Sequence, residues 1–126
     1  MLRPSLEEFK HKAKQGNLIP VYREILADME TPVSAFLKID DGRHSFLLES
    51  VEGGEKWARY SFLGSGPSVV VRSFDRTVEI IRRGKIERRP FRSDPLEAIK
   101  DVLSEYQPVP DPALPRFFGG AVGFMG

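Results

Sequence analysis

The chain has 126 residues, 40% hydrophobic and 29% charged, with a formal net charge of +1, enough to build one domain-sized core but no global field that selects a polyanionic partner. It contains no cysteine, which excludes disulfides, thiolate metal ligands and a cysteine nucleophile. No apolar run approaches the about eighteen residues of a membrane span, and the start MLRPSLEEFKHKAKQG is amphipathic and charged, so a cytoplasmic protein away from membranes is expected.

Ser5 and Glu8 stand at capping-box spacing, and Leu6, Phe9 and Ala13 then recur with helical period until Gly16, which predicts a short first helix. The stretch NLIPVYREILADMETP, residues 17–32, is fenced by Pro20 and Pro32, and Val21, Ile25 and Leu26 can share one helical face; a second short helix is expected. From Val33 to Ile39 the apolar residues Val33, Ala35, Leu37 and Ile39 alternate with Ser34 and Lys38, and Asp41-Gly42 offers a tight turn. That pattern predicts a strand, with HSFLLE (44–49) pairing back on it antiparallel.

PSVVVRSF and TVEIIRR read as β-branched strands joined at Asp75-Arg76, and Gly84 turns the chain into KIERR, completing a meander. Asp94, Pro95 and Glu97 mark a helix start, after which Leu96, Ile99, Leu103 and Tyr106 line one face. The four prolines of QPVPDPALP favour a stiff, extended connection. The apolar end RFFGGAVGFMG needs cover for Phe117, Phe118, Val122 and Phe124, which fits either a chain cut short of its native end or a C-terminus docked as a central strand.

GGAVGFMG lacks the lysine of a phosphate loop and the βαβ context of a dinucleotide fingerprint, so its glycines are expected to allow close backbone approach within a sheet. RRGKIERRPFR gathers six of the 19 basic residues (Arg82, Arg83, Lys85, Arg88, Arg89, Arg92) against Glu87 alone, with Phe91 its one aromatic; a solvated hairpin edge is favoured over a nucleic-acid site. His11 and His44 stand alone, no ligand spacing marks a metal site, and no catalytic constellation is evident.

In FLLESVEGGEKWARYSFLG (46–64), Glu49 and Ser50 end a strand, a glycine loop follows, and Arg59-Tyr60 open the return. A carboxylate for an ammonium group, a hydroxyl, a basic group for a carboxylate, and apolar walls at Leu47 or Leu48 suit a free amino acid. A Glu-Arg ion pair bracing the loop, with Ser50 capping a turn, is the structural alternative.

The run LLES-x8-RYSFLG resembles the N-terminal region of anthranilate synthase component I, the large subunit that begins tryptophan synthesis from chorismate. IPVYREILADMETPVSAFLKI, FLLESVEGG, KWARYSFLG and FFGGAVGFMG resemble that family's successive N-terminal blocks in order. The folate-pathway relative, aminodeoxychorismate synthase component I, shares the general pattern and is the near alternative; a non-enzymatic binding module using the basic hairpin 82–92 is the remaining one. The resemblance implies that residues 1–126 form the N-terminal domain of an α+β protein of mostly antiparallel sheets with flanking helices, and that the C-terminal chorismate-binding domain is absent.

It also implies that Leu48, Glu49 and Ser50 contribute to a feedback-inhibition site for L-tryptophan, with Arg59 or Tyr60 following as pocket residues. The intact protein would be a lyase that binds chorismate and Mg2+, accepts ammonia from a glutamine amidotransferase subunit and releases anthranilate and pyruvate. The 126 residues alone, holding no catalytic residue and no cofactor, should be inactive.

Overall fold

The computed structural model describes residues 1–49, 60–90 and 94–126. Helix α1, Leu6–Lys12, begins where the Ser5 hydroxyl accepts the Glu8 N–H at 3.3 Å, with acidic residues in its first turn and basic ones in its last, as the helix dipole favours. Gly16 follows for reasons of space. A Cβ there would lie 2.3 Å from the Gln107 carbonyl oxygen, to which Asn17 and Leu18 both donate their N–H groups at 3.0 and 3.3 Å.

The helix expected over residues 17–32 does not form: residues 17–31 lie in no helix. Their backbone groups are engaged elsewhere: Leu18 accepts from Val109 at 2.9 Å, and Arg3 and Tyr22 exchange two 2.8 Å hydrogen bonds. Pro20, lacking an N–H, sits between those contacts. The expected strand at 33–39 is helix α2, Pro32–Ile39. Thr31 and Ser34 form a reciprocal capping box and Pro32 occupies the first turn, so local capping overrides the apparent alternation. Asp40 then turns the chain, accepting from the Gly42 N–H and the Ser45 hydroxyl, and these bonds hold its carboxyl below the ordinary aspartate range.

Strand β1, Ser45–Glu49, therefore pairs with β2, Ser61–Ser65, in a two-stranded antiparallel sheet running from Ser45↔Ser65 to Glu49↔Ser61. The two strands are half-buried at most, and α2 packs on them. The meander forms as predicted: β3, Val69–Phe74; β4, Thr77–Arg82; and β5, Lys85–Pro90, in the order β3-β4-β5. Arg83 and Gly84 both take positive φ, the requirement of a two-residue hairpin turn that matches strand twist.

Helix α3, Leu96–Ser104, starts under the Asp94 carboxylate, which accepts the Leu96 N–H at 2.9 Å. Its buried face is Ala98 and Val102, with Leu96 and Leu103 left half-exposed. This rotation away from the expected Leu96-Ile99-Leu103 face brings two small residues, one turn apart, against β4. Val78 and Ile80 meet them there, with Val69, Val71 and Tyr106 around the edge. Among the described residues the arrangement is α+β, built on two antiparallel sheets and three helices.

Residues 121–126 belong to no strand, and a Cβ at Gly119, Gly123 or Gly126 would meet nothing within 4 Å. The glycines thus serve no close approach inside a sheet, contrary to expectation. The whole chain exposes 10929 Å², against about 6,800 Å² for a compact monomer of its mass.

Candidate functional site

Of the five residues singled out by sequence, Leu48 and Glu49 close β1, and Tyr60 immediately precedes β2. Ser50 and Arg59 lie outside the described residues, and with them the alternative of a Glu-Arg ion pair bracing the loop. Strand parity separates the first two: Leu48 sits opposite Phe62 on one face, while Glu49 sits opposite Ser61 on the other. Glu49↔Ser61 is also the last rung of the ladder, so the carboxylate stands at the open end of the sheet.

On the Leu48 face, Leu48, Phe62, Phe117, Ala121, Val122 and Gly123 line an open apolar groove of about 360 Å³. Phe62 meets Phe117 edge-to-face at 5.1 Å between centroids, and Tyr60 stacks on Phe62 at 6.1 Å. Behind them, Phe46 lies over Gly64, where a Cβ would come within 2.6 Å of the ring. Gly64 therefore lets Phe46 lie flat across the sheet and fixes the floor beside Phe62. Leu48 and Tyr60 thus join one aromatic-walled surface, and Glu49 approaches it only from the sheet end. Sequence reasoning missed Phe62 and Phe117 as wall residues. The period-two spacing of Tyr60, Phe62 and Gly64 is the local signal for the first; Phe117 is brought in by tertiary structure.

The basic hairpin is largely engaged within the molecule. Arg82 reaches Glu105 through two hydrogen bonds of 2.6 and 2.9 Å, which raise the arginine above its ordinary value and lower the glutamate. Arg88 Nε donates to Glu79 at 3.0 Å, and Arg89 lies 3.9 Å from Asp101. These pairings support the solvated-edge reading of 82–90 over a phosphate-binding surface. Among the described residues no group of three histidine, aspartate or glutamate side chains could hold a metal ion. No helix among them is long and apolar enough to cross a membrane.

Comparison with known proteins bears on the same stretch. No family model matches the chain, and no solved structure matches it. Among curated proteins, it is 48% identical over 126 residues to anthranilate synthase component 1 of Acetivibrio thermocellus, covering all of this chain and 25% of the relative. It is 47% identical over 125 residues to the protein of the same name from Aquifex aeolicus, with 98% of this chain and 25% of the relative covered. The protein of that name from Synechocystis is 45% identical over 128 residues, again across the whole chain and 25% of the relative. The chain spans about a quarter of the length of these curated relatives.

Proposed function

Because the chain is related along its whole length to the N-terminal region of the anthranilate synthase component 1 proteins, we propose that it is the regulatory N-terminal region of such an enzyme. The observation that carries this reading is identity of 45–48% that leaves essentially no part of the chain unmatched. The relatives named above carry the tryptophan-pathway enzyme's name, which favours anthranilate over the folate-pathway product.

On this reading the intact protein binds chorismate, receives ammonia from a glutamine amidotransferase subunit and forms anthranilate and pyruvate. Catalysis belongs to the part of the enzyme beyond these residues. Mg2+, on this reading, acts in that part as well.

The contribution of this region is the site for L-tryptophan. An indole is apolar and flat, and the Leu48-Phe62-Phe117 wall, with Tyr60 stacked behind it, offers the matching surface. Glu49, at the open end of the sheet, accepts the ammonium group, Ser50 adds a hydroxyl, and Arg59 is the cation available for the carboxylate. A ligand that spans the Glu49↔Ser61 rung would touch both faces of the two-stranded sheet. It would brace one orientation of α2, β1 and β2, and if that orientation disfavours chorismate, linkage requires chorismate to weaken tryptophan in return.

The test is the intact enzyme, assayed by anthranilate fluorescence with ammonia as nitrogen donor, with and without Ser50→Phe. The bulky residue should raise the tryptophan concentration needed for inhibition at least about tenfold, a coupling of the usual size, while uninhibited turnover is kept. Unchanged tryptophan sensitivity would remove Ser50 from the site, and absence of anthranilate would remove the enzyme assignment.

A further inference from the structure

Residues 25–39 leave a run of apolar side chains uncovered. Leu26 is 90% exposed, Met29 95% and Leu37 68%, with Ile25 and Val33 also more than half in water. Helix α2 reads PVSAFLKI, with only Ser34 and Lys38 polar, and both reach back to Glu30. Its inner side packs on β1 and β2; its outer side presents Val33 and Leu37, one turn apart. A helix that is apolar on both sides belongs between two layers, and here only one is present.

Three quantities bear on what the other layer is. The chain exposes 10929 Å²; even if the 13 undescribed residues are counted as fully extended chain, about 2,500 Å² remains in excess of a compact monomer. The unit beneath α2 is small, a two-stranded sheet whose strands are half-buried at most even with the helix packed on them. The patch itself involves some six side chains, whereas a separate protein partner ordinarily takes 20–30 residues a side to offset the entropy of association. A layer joined to the same chain does not pay that entropy. The relatives are about four times as long as this chain.

We propose that the outer face of α2 and the preceding 25–29 segment form an intramolecular seam, covered in the intact protein by the chain that lies beyond these 126 residues. This rests on reading the chain as the N-terminal region of a longer component 1. Since α2 packs on β1 and β2, the seam and the residues assigned to tryptophan share one small unit.

Methionine oxidation in the intact protein tests this directly, because Met29 is its own reporter. Hydrogen peroxide is added to native and urea-denatured intact protein, and the Met29-containing peptide is followed by mass spectrometry. The seam predicts native oxidation at least about tenfold slower than denatured, since a buried thioether is withheld from the oxidant. The same protection should persist on hundredfold dilution and without the amidotransferase. Native and denatured rates within about twofold would overturn the proposal, as would protection lost on dilution, which would assign the face to a second copy. Met29→Glu gives a second readout: it should lower the intact protein's melting temperature if the face is covered, and leave it unchanged if the face is open. Anthranilate formation by the same preparation reports separately on the enzyme reading, so that failure there leaves the Met29 result interpretable.

Discussion

The centre of the β3-β4-β5 sheet carries a cross-strand row, Arg72↔Glu79↔Arg88, on the face turned away from α3. Glu79 Oε1 lies 3.0 Å from Arg88 Nε and Oε2 lies 3.6 Å from Arg72 Nη2. Its side chain is only 6% exposed, whereas those of Arg72 and Arg88 are 56% and 65% exposed. The asymmetry predicts that removing the anion and removing the cations have different consequences. Glu79→Gln leaves two guanidinium groups that water can resolvate, so the loss is at most about one charge-assisted hydrogen bond, about 1.5–3 kcal/mol. The double variant Arg72→Met/Arg88→Met keeps apolar stems over the carboxylate but leaves no cation beside it, which costs about 3–5 kcal/mol. Combining all three substitutions should recover most of that difference, because the stranded charge is gone. Urea unfolding at neutral pH, followed by circular dichroism, measures each variant. If Glu79→Gln destabilises as much as the double arginine variant, burial of the carboxylate is not what organises this row.

Ile80, fully buried against α3, should lose about 2–5 kcal/mol on truncation to Ala, while half-exposed Leu103→Ala stays far below that, a contrast read from the same unfolding curves. Gly16→Ala places a methyl 2.3 Å from a backbone oxygen, so it should destabilise by about 1–3 kcal/mol and speed exchange of the Asn17 and Leu18 amides. Glu30, Asp40, Glu105 and Asp111 all have carboxyls lowered by hydrogen bonds, first among them those from Lys38, Gly42, Arg82 and Ala113 respectively. Lowered acids take up fewer protons folded than unfolded. Their stabilisation is therefore complete above the ordinary carboxylate range, near pH 4, and is lost as pH falls through the depressed values. The urea midpoint should drop across that window, less steeply in Glu105→Gln; a midpoint flat to acid would refute the assignment.

The meander was legible because every signal was local. Val69, Val71, Val78 and Ile80 have β-branched side chains at period two, and Gly84 supplies the positive φ its turn needs. Asp94-Pro95 announced α3 equally well, although its buried face went to Ala98 and Val102, since close approach rather than side-chain size decides which stripe meets a sheet. Helix α2 was hidden because Val33, Ala35, Leu37 and Ile39 imitate the alternation of a strand, although Ser34 and Lys38, four apart, mark a polar stripe at helical spacing. The Thr31-Pro32-Val33-Ser34 cap was the better guide. Residues 17–32 were misread because their partners, Arg3 and residues 107–109, are distant or upstream in sequence.

The candidate site divides similarly. Leu48 and Tyr60 could be placed together by strand parity, and Glu49 on the opposite face by the same rule. Phe117, more than fifty residues away along the chain, joins only in three dimensions, through its edge-to-face contact with Phe62. The motif marks the open end of the β1-β2 sheet and not the aromatic wall beside it.

The most direct test of the account is calorimetric titration of L-tryptophan into the intact enzyme, with Glu49→Ala and Phe62→Ala in parallel. If Glu49 receives the ammonium group and Phe62 the indole, the wild type binds tryptophan, each variant weakens it at least about tenfold, and chorismate lowers the wild-type affinity through linkage. Tryptophan binding that is unchanged in both variants would contradict the assignment of its site to this sheet.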